Sequence, residues 1–138
     1  MTARYVVLPH EGAFNEQDAH RFGMEQSMPL VAQSRYEYPR TDAFLPRNAG
    51  LLTLPESPVL TLRVLPDGQD GVLIRLLNAS DSPQLAVIGS QLLKIAAANI
   101  CDVFGQATGE LSVTNGSVSV EIEARRVCVV RLGVQTSN

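Results

Sequence analysis

The residue types able to do chemistry in this chain are two histidines, two cysteines and a scatter of carboxylates. His10-Glu11-Gly12 is the first candidate pair. Neighbouring residues on a strand point to opposite faces, so His10 and Glu11 would not share one reacting atom. No third group lies nearby in sequence to orient the imidazole, and the pair reads as a strand end with a hydrogen-bonded histidine. His20 falls among the polar residues of a predicted helix and reads as part of a solvated face. Asp67 and Asp70, in PDGQDG, resemble part of a calcium loop. The further ligands and closing bidentate glutamate of such a loop are missing, and a hairpin turn accounts for every residue. Ser90 lies in IGSQL, without the GxSxG elbow of a hydrolase nucleophile. A glycosidase needs two carboxylates flanking the scissile bond. The acids Asp42, Glu56, Asp81, Asp102, Glu110, Glu121 and Glu123 are spread over predicted turns and exposed strand positions. Only Asp102 is embedded in an apolar run, where a satisfied turn acid is expected. No catalytic, cofactor-binding or metal-ligating residue is therefore assigned.

Cys101 and Cys128 lie in the apolar stretches AANICDVF and RRVCVVRL, where cysteine behaves as a small core hydrophobe. Neither belongs to a CxxC, and both histidines are distant, which argues against zinc. The N-terminal MTARYVVLPH lacks the basic, apolar and cleavage regions of a secretory signal, so a cytoplasmic setting with free thiols is expected. The formal net charge of −3, without a Lys/Arg run, argues against nucleic-acid or membrane partners. No apolar stretch approaches the roughly 18 residues of a membrane-spanning helix. Length suits a single core, with 138 residues.

The elements follow from pattern. Residues 1–48 read as a strand, helix and linker segment, and residues 49–138 as an antiparallel β-sandwich. The predicted fold class is mainly β, with one short N-terminal helix. Tyr5–Leu8 is β-branched and closed by Pro9, which predicts a short strand. Asn15 can cap a helix whose first turn carries Glu16 and Asp18, matching the helix dipole. Gly23 weakens that helix. Pro29–Ala32 reads as extended, and 34–48 as a long connection. From Gly50 the chain shows short apolar runs bounded by turn residues: 51–54, 59–65, 71–77, 84–88, 92–100, 110–114, 117–123 and 126–134. This spacing marks a sandwich or barrel. Asn115-Gly116 predicts a type I′ hairpin, LPDGQDGVL a second, and 78–83 a third reversal. Leu92–Ala98 has helical propensity, yet its brevity and flanking strands favour β. Arg125-Arg126 opens the last predicted strand and reads as a solvated edge.

Several blocks resemble family-38 glycoside hydrolases, the α-mannosidases. The block Tyr5-Val6-Val7-Leu8-Pro9-His10-Glu11-Gly12, a polar helix and Met28-Pro29-Leu30 are similar to one region of that family. Val72 to Asn78 resembles its Ile-x-Arg-Leu-Tyr-Asn/Glu strand, with Leu77 in place of Tyr, and Met28 stands where Asn is usual. Ala98, Asp102 and Gly105 fit a further run, and Ser117–Ile122 with Val127–Leu132 resemble its last two strands. The resemblance implies a C-terminal, non-catalytic β domain of a retaining α-mannosidase. The nucleophilic Asp and the zinc ligands of such an enzyme would lie in another domain, so the chain alone is expected to be inactive. Its implied partners are the remainder of the parent enzyme or a second copy of itself, with a mannose-containing glycan as the indirect substrate.

The rival expectation is a free-standing carbohydrate-binding or protein-interaction sandwich. Trp is absent, leaving three Tyr and four Phe. Tyr36 and Tyr38, which share a face if their segment is extended, are the candidate sugar platform. A domain cut from a larger sandwich is further expected to leave an apolar patch exposed.

Overall fold

A computed structural model describes residues 5–27, 50–54, 57–68 and 71–136. The chain divides into two compact units, residues 1–38 and 39–138. In the first, helix α1 (Glu16–Ser27) starts where Asn15 caps it: Asn15 Oδ1 accepts from the backbone N–H of Gln17 at 3.0 Å. The Asn15 amide in turn donates to Asp18 at 2.8 Å. The helix tolerates Gly23 and runs through Ser27, whose hydroxyl donates to the Gly23 carbonyl. Residues 5–8 form no strand, contrary to expectation. Tyr5 and Val7 are highly exposed, and β-branched propensity without a partner strand leaves the backbone groups of a strand unpaired. The extended piece at 29–32 and the connection at 34–48 lie outside the described residues.

The second unit is a β-sandwich. Its strands are β1 (Val59–Pro66), β2 (Gly71–Asn78), β3 (Gln84–Ile88), β4 (Leu93–Cys101), β5 (Ala107–Leu111), β6 (Val113–Thr114), β7 (Ser117–Ile122) and β8 (Val127–Thr136). One antiparallel sheet has the order β1-β2-β8-β4-β5 and the other β3-β7-β6. The alternating apolar residues of both sheets meet in one core: Val72, Ile74, Leu76, Ile95, Ala98, Val130 and Leu132 from the first, and Ala86, Ile88, Val118, Val120 and Ile122 from the second. The Ala-rich segment at 92–98 belongs to strand β4, because β8 pairs along it from Leu93 onward and β5 joins the other edge from Ala98. Tertiary pairing thereby overrides helix propensity.

The turns obey local chemistry. Asn115 and Gly116 have φ of 51° and 73°, the positive values a type I′ turn requires. The β1–β2 hairpin closes with the Asp67 N–H donating to the Gly71 carbonyl at 2.9 Å. The predicted run 110–114 is split at Ser112, where the chain leaves the larger sheet as β5 and enters the smaller as β6. The run 51–54 contributes only a single bridge, Thr53 to Gly89. At Asn78 the two sheets are tied together. This fully buried amide donates to the carbonyls of Ser82, Ile122 and Glu123 at 2.8, 2.9 and 3.1 Å. Its oxygen accepts from the Ser80 N–H and hydroxyl. The third expected reversal is thus also the clamp between the end of β2 and the end of β7.

Candidate functional site

Asp102 directly follows β4, and its surroundings define one end of the sandwich. Its carboxylate accepts from the N–H groups of Phe104 and Gln106 at 2.9 and 2.8 Å. Its own N–H donates to the Gln106 carbonyl, and its carbonyl accepts from Gly105. Gly105 takes φ 89°, open to glycine at little cost. The acid is therefore consumed in building the β4–β5 loop, the satisfied turn acid that the sequence favoured. The loop carries Val103 and Phe104 out into solvent, at 66% and 88% exposure, and Val127 at the start of β8 is 52% exposed. Val103 and Val127 line a groove of about 390 Å³ with Ile100, Cys128, Glu121 and Arg126. An apolar floor with a mixed-charge rim suits contact with another surface.

Cys101 and Cys128 are both free and close to this groove. Cys101 pairs in register with Val129, so it shares a face with Val129 and not with Cys128, one residue away. Cys128 packs toward the inter-sheet core. Opposite faces rule out a disulfide between them without rebuilding the strand. Burial, and secondarily the neighbouring Cys101, push the Cys128 thiol above its ordinary pKa. It is a poor nucleophile.

The other candidates are placed apart. His10 and Glu11 lie in the first unit, outside any strand, so strand alternation does not separate them. The chain turns at Gly12, with φ 80°, and the exposed His10 ring stands edge-on to Phe14 with centroids 6.2 Å apart. Among the described residues no hydrogen bond to the imidazole forms, in contrast to the expected hydrogen-bonded histidine. His10, Glu11, Phe14, Asp18 and Phe22 line a shallow pocket of about 340 Å³. His20, on exposed helix surface, faces Glu16 at 3.7 Å. Asp67 belongs to the hairpin turn, and Asp70 lies outside the described residues. The Ser90 hydroxyl donates to the Leu51 carbonyl at 2.6 Å and accepts from the N–H of Leu93 at 2.9 Å, fixing the entry to β4.

Arg125 and Arg126 do not begin the last strand on an edge. They form the turn before β8, which is the middle strand of its sheet. Arg125 has φ 57°, and its guanidinium Nε lies 2.9 Å from the Asp81 carboxylate. The hydrogen bond and charge of Arg125 hold the Asp81 carboxyl below its usual pKa. Asp42, Glu56, Tyr36 and Tyr38 lie outside the described residues. Glu110, Glu121 and Glu123 are exposed. Among the described residues no group of three or more His, Cys, Asp or Glu is placed to hold a metal ion. No helix among them is long and apolar enough to cross a membrane.

The fold and this end define an antiparallel β-sandwich domain whose polar turn residues are engaged in holding its backbone. Among known proteins, a GH30 endoxylanase from Clostridium papyrosolvens C71 is similar in structure. The likeness has 18% identity and a TM-score of 0.41, over 59% of this chain and 21% of that one. The chain thus spans about a fifth of the length of that protein. No protein-family model matches the chain, and no curated protein matches it. The likeness to family 38 therefore rests on the residue blocks alone.

Proposed function

We propose that this chain is a non-catalytic, carbohydrate-enzyme β domain that abuts a neighbouring domain at the β4–β5 end of its sandwich. The residue blocks that resemble family-38 enzymes are what favours an α-mannosidase-like parent. The observation that carries the reading is the exposure of Val103 and Val127 along one groove, with the exposed Phe104 next to Val103 in the same loop. Exposed apolar residues gathered in one place mark a surface that another surface covers, and Asp102 at this end is occupied in turn construction.

The test is sedimentation velocity over a range of protein concentrations. The isolated chain self-associates through this end, and the double variant Phe104→Ser, Val127→Ser sediments as a monomer. A wild-type chain that stays monomeric at the highest concentrations overturns the reading. In parallel, the chain alone gives no turnover of an aryl α-mannoside. Measurable, saturable turnover would replace the domain reading with an enzymatic one.

A further inference from the structure

The face of the five-stranded sheet that points away from the core carries an unusual row. Arg63 on β1 pairs in register with Arg75 on β2, two like charges placed directly opposite. Such side chains stand about 4.5–5.5 Å apart at Cβ, and like charges there are destabilising. On the other side of β2, Arg75 pairs with Val129 of β8, which puts Arg131 at the diagonal position, about 7–8 Å away. All three share the outer face, because Ile74, Leu76, Val130 and Leu132 point into the core.

Two of the three guanidinium groups are held in place. Arg131 Nε meets Asp67 Oδ2 at 2.5 Å as an ion pair, without the alignment of a hydrogen bond. Arg75 Nη2 donates to the Val103 carbonyl at 3.3 Å. That carbonyl belongs to the loop tied down by Asp102, which folds over the outer face: a Cβ on Gly105 would lie 3.7 Å from Leu73 Cδ1. The Nε of Arg75 is buried and has no hydrogen-bond partner. A buried donor left unpaired is costly. Among the described residues one carboxylate, Asp67, pairs with the row, and Glu110 sits two strands farther on, beyond Asn99. Among the described residues, three positive charges therefore stand against one negative.

We propose that Arg63, Arg75 and Arg131 form an oxyanion-binding site on the outer face of the five-stranded sheet. Its ligand is a carboxylate or sulfate group, because planar guanidinium forks match such groups with two parallel N–H donors. The bound oxyanion would supply an acceptor to this row and relieve the Arg63–Arg75 repulsion. The inference is independent of the domain contact proposed above, which uses the exposed apolar side chains of the same loop.

The test follows the arginine Nε–H resonances by NMR during titration with sodium sulfate, glucuronate and, as the neutral control, glucose. Saturable shifts of the Arg63, Arg75 and Arg131 signals, with Arg21 and Arg126 unmoved, are expected with at least one of the two anions. Tighter binding of glucuronate assigns the site to sugar acids, and equal or tighter binding of sulfate assigns it to free oxyanions. Glucose produces no shift. Arg75→Gln weakens binding about tenfold or more, and Arg75→Lys, which keeps the charge and loses the fork, weakens it less. Arg63→Gln, on the exposed edge strand, gives the same direction of change in a position remote from the core. Shifts that stay linear with salt and equal at Arg21 and Arg126 overturn the proposal, as does unaltered affinity in both Arg63→Gln and Arg75→Gln.

Discussion

The two faces of the five-stranded sheet are made by the same strands and differ in nearly everything else. The inner face presents Val72, Ile74, Leu76, Val130 and Leu132 to the smaller sheet, all essentially removed from water. The outer face presents Arg63, Arg75, Arg131 and Asn99, which remain at least partly accessible. Neighbours in sequence such as Arg131 and Leu132 therefore live in different solvents. The inner face holds the molecule together, and the outer face is free to carry charge that a core would not tolerate.

The largest expected effect lies on the inner face. Leu132→Ala removes a side chain with no solvent exposure and lowers stability by about 3 kcal/mol, through lost transfer energy and a residual cavity. Arg131→Ala, one residue away, costs under about 1 kcal/mol, since its partly exposed ion pair with Asp67 is screened by water. Urea denaturation of the two variants measures the contrast directly, and equal losses would show that the faces are not energetically distinct.

Next comes the clamp between the sheets. Asn78→Ala leaves the Ser82, Ile122 and Glu123 carbonyls without that donor and costs about 2 kcal/mol, as befits buried polar groups losing their partner. Hydrogen exchange then quickens at the ends of β2 and β7 before it does in mid-strand. Gly116→Ala, at φ 73°, costs about 1 kcal/mol by forcing a side chain into left-handed backbone, read as a shift of the denaturation midpoint.

Smaller effects belong to the surface. Arg63→Gln takes away one of two opposed charges and raises stability by about 0.2–0.5 kcal/mol. It does so most clearly at low salt, where screening is weakest. At Asp81 the carboxyl pKa is depressed in the folded chain by Arg125. The associated stabilisation is therefore present above the unfolded carboxylate pKa and disappears as pH falls through the folded one. Carboxyl-detected NMR titration of Arg125→Gln returns the Asp81 pKa toward its ordinary value. An unchanged titration would mean that the pair does not persist in solution.

Legibility in the sequence tracked how local each cause is. The Asn115-Gly116 hairpin and the Asn15 cap depend on a few adjacent residues, and both were predictable. Strand β4 was also recoverable despite its alanines, because the flanking strands leave room for no helix. Tyr5–Leu8 misled, since β propensity describes a surface fit for pairing and supplies no partner. The break at Ser112 was hidden because apolar alternation continues across it while the chain changes sheets. Asp102 could be read as a turn acid, but its control of the Val103 carbonyl could not. Arg63, Arg75 and Arg131 were invisible as a group, being on three strands with no shared motif.

By itself the amino-acid sequence determined a mainly β domain with two-faced strands and several of its turns, since side-chain alternation and turn chemistry act within a few residues. Only the tertiary structure decided which arginines stand together, which cysteines stay apart and which carbonyls Asn78 holds. Those outcomes depend on the register between distant strands, and a one-residue slip in register would move every side chain to the other face.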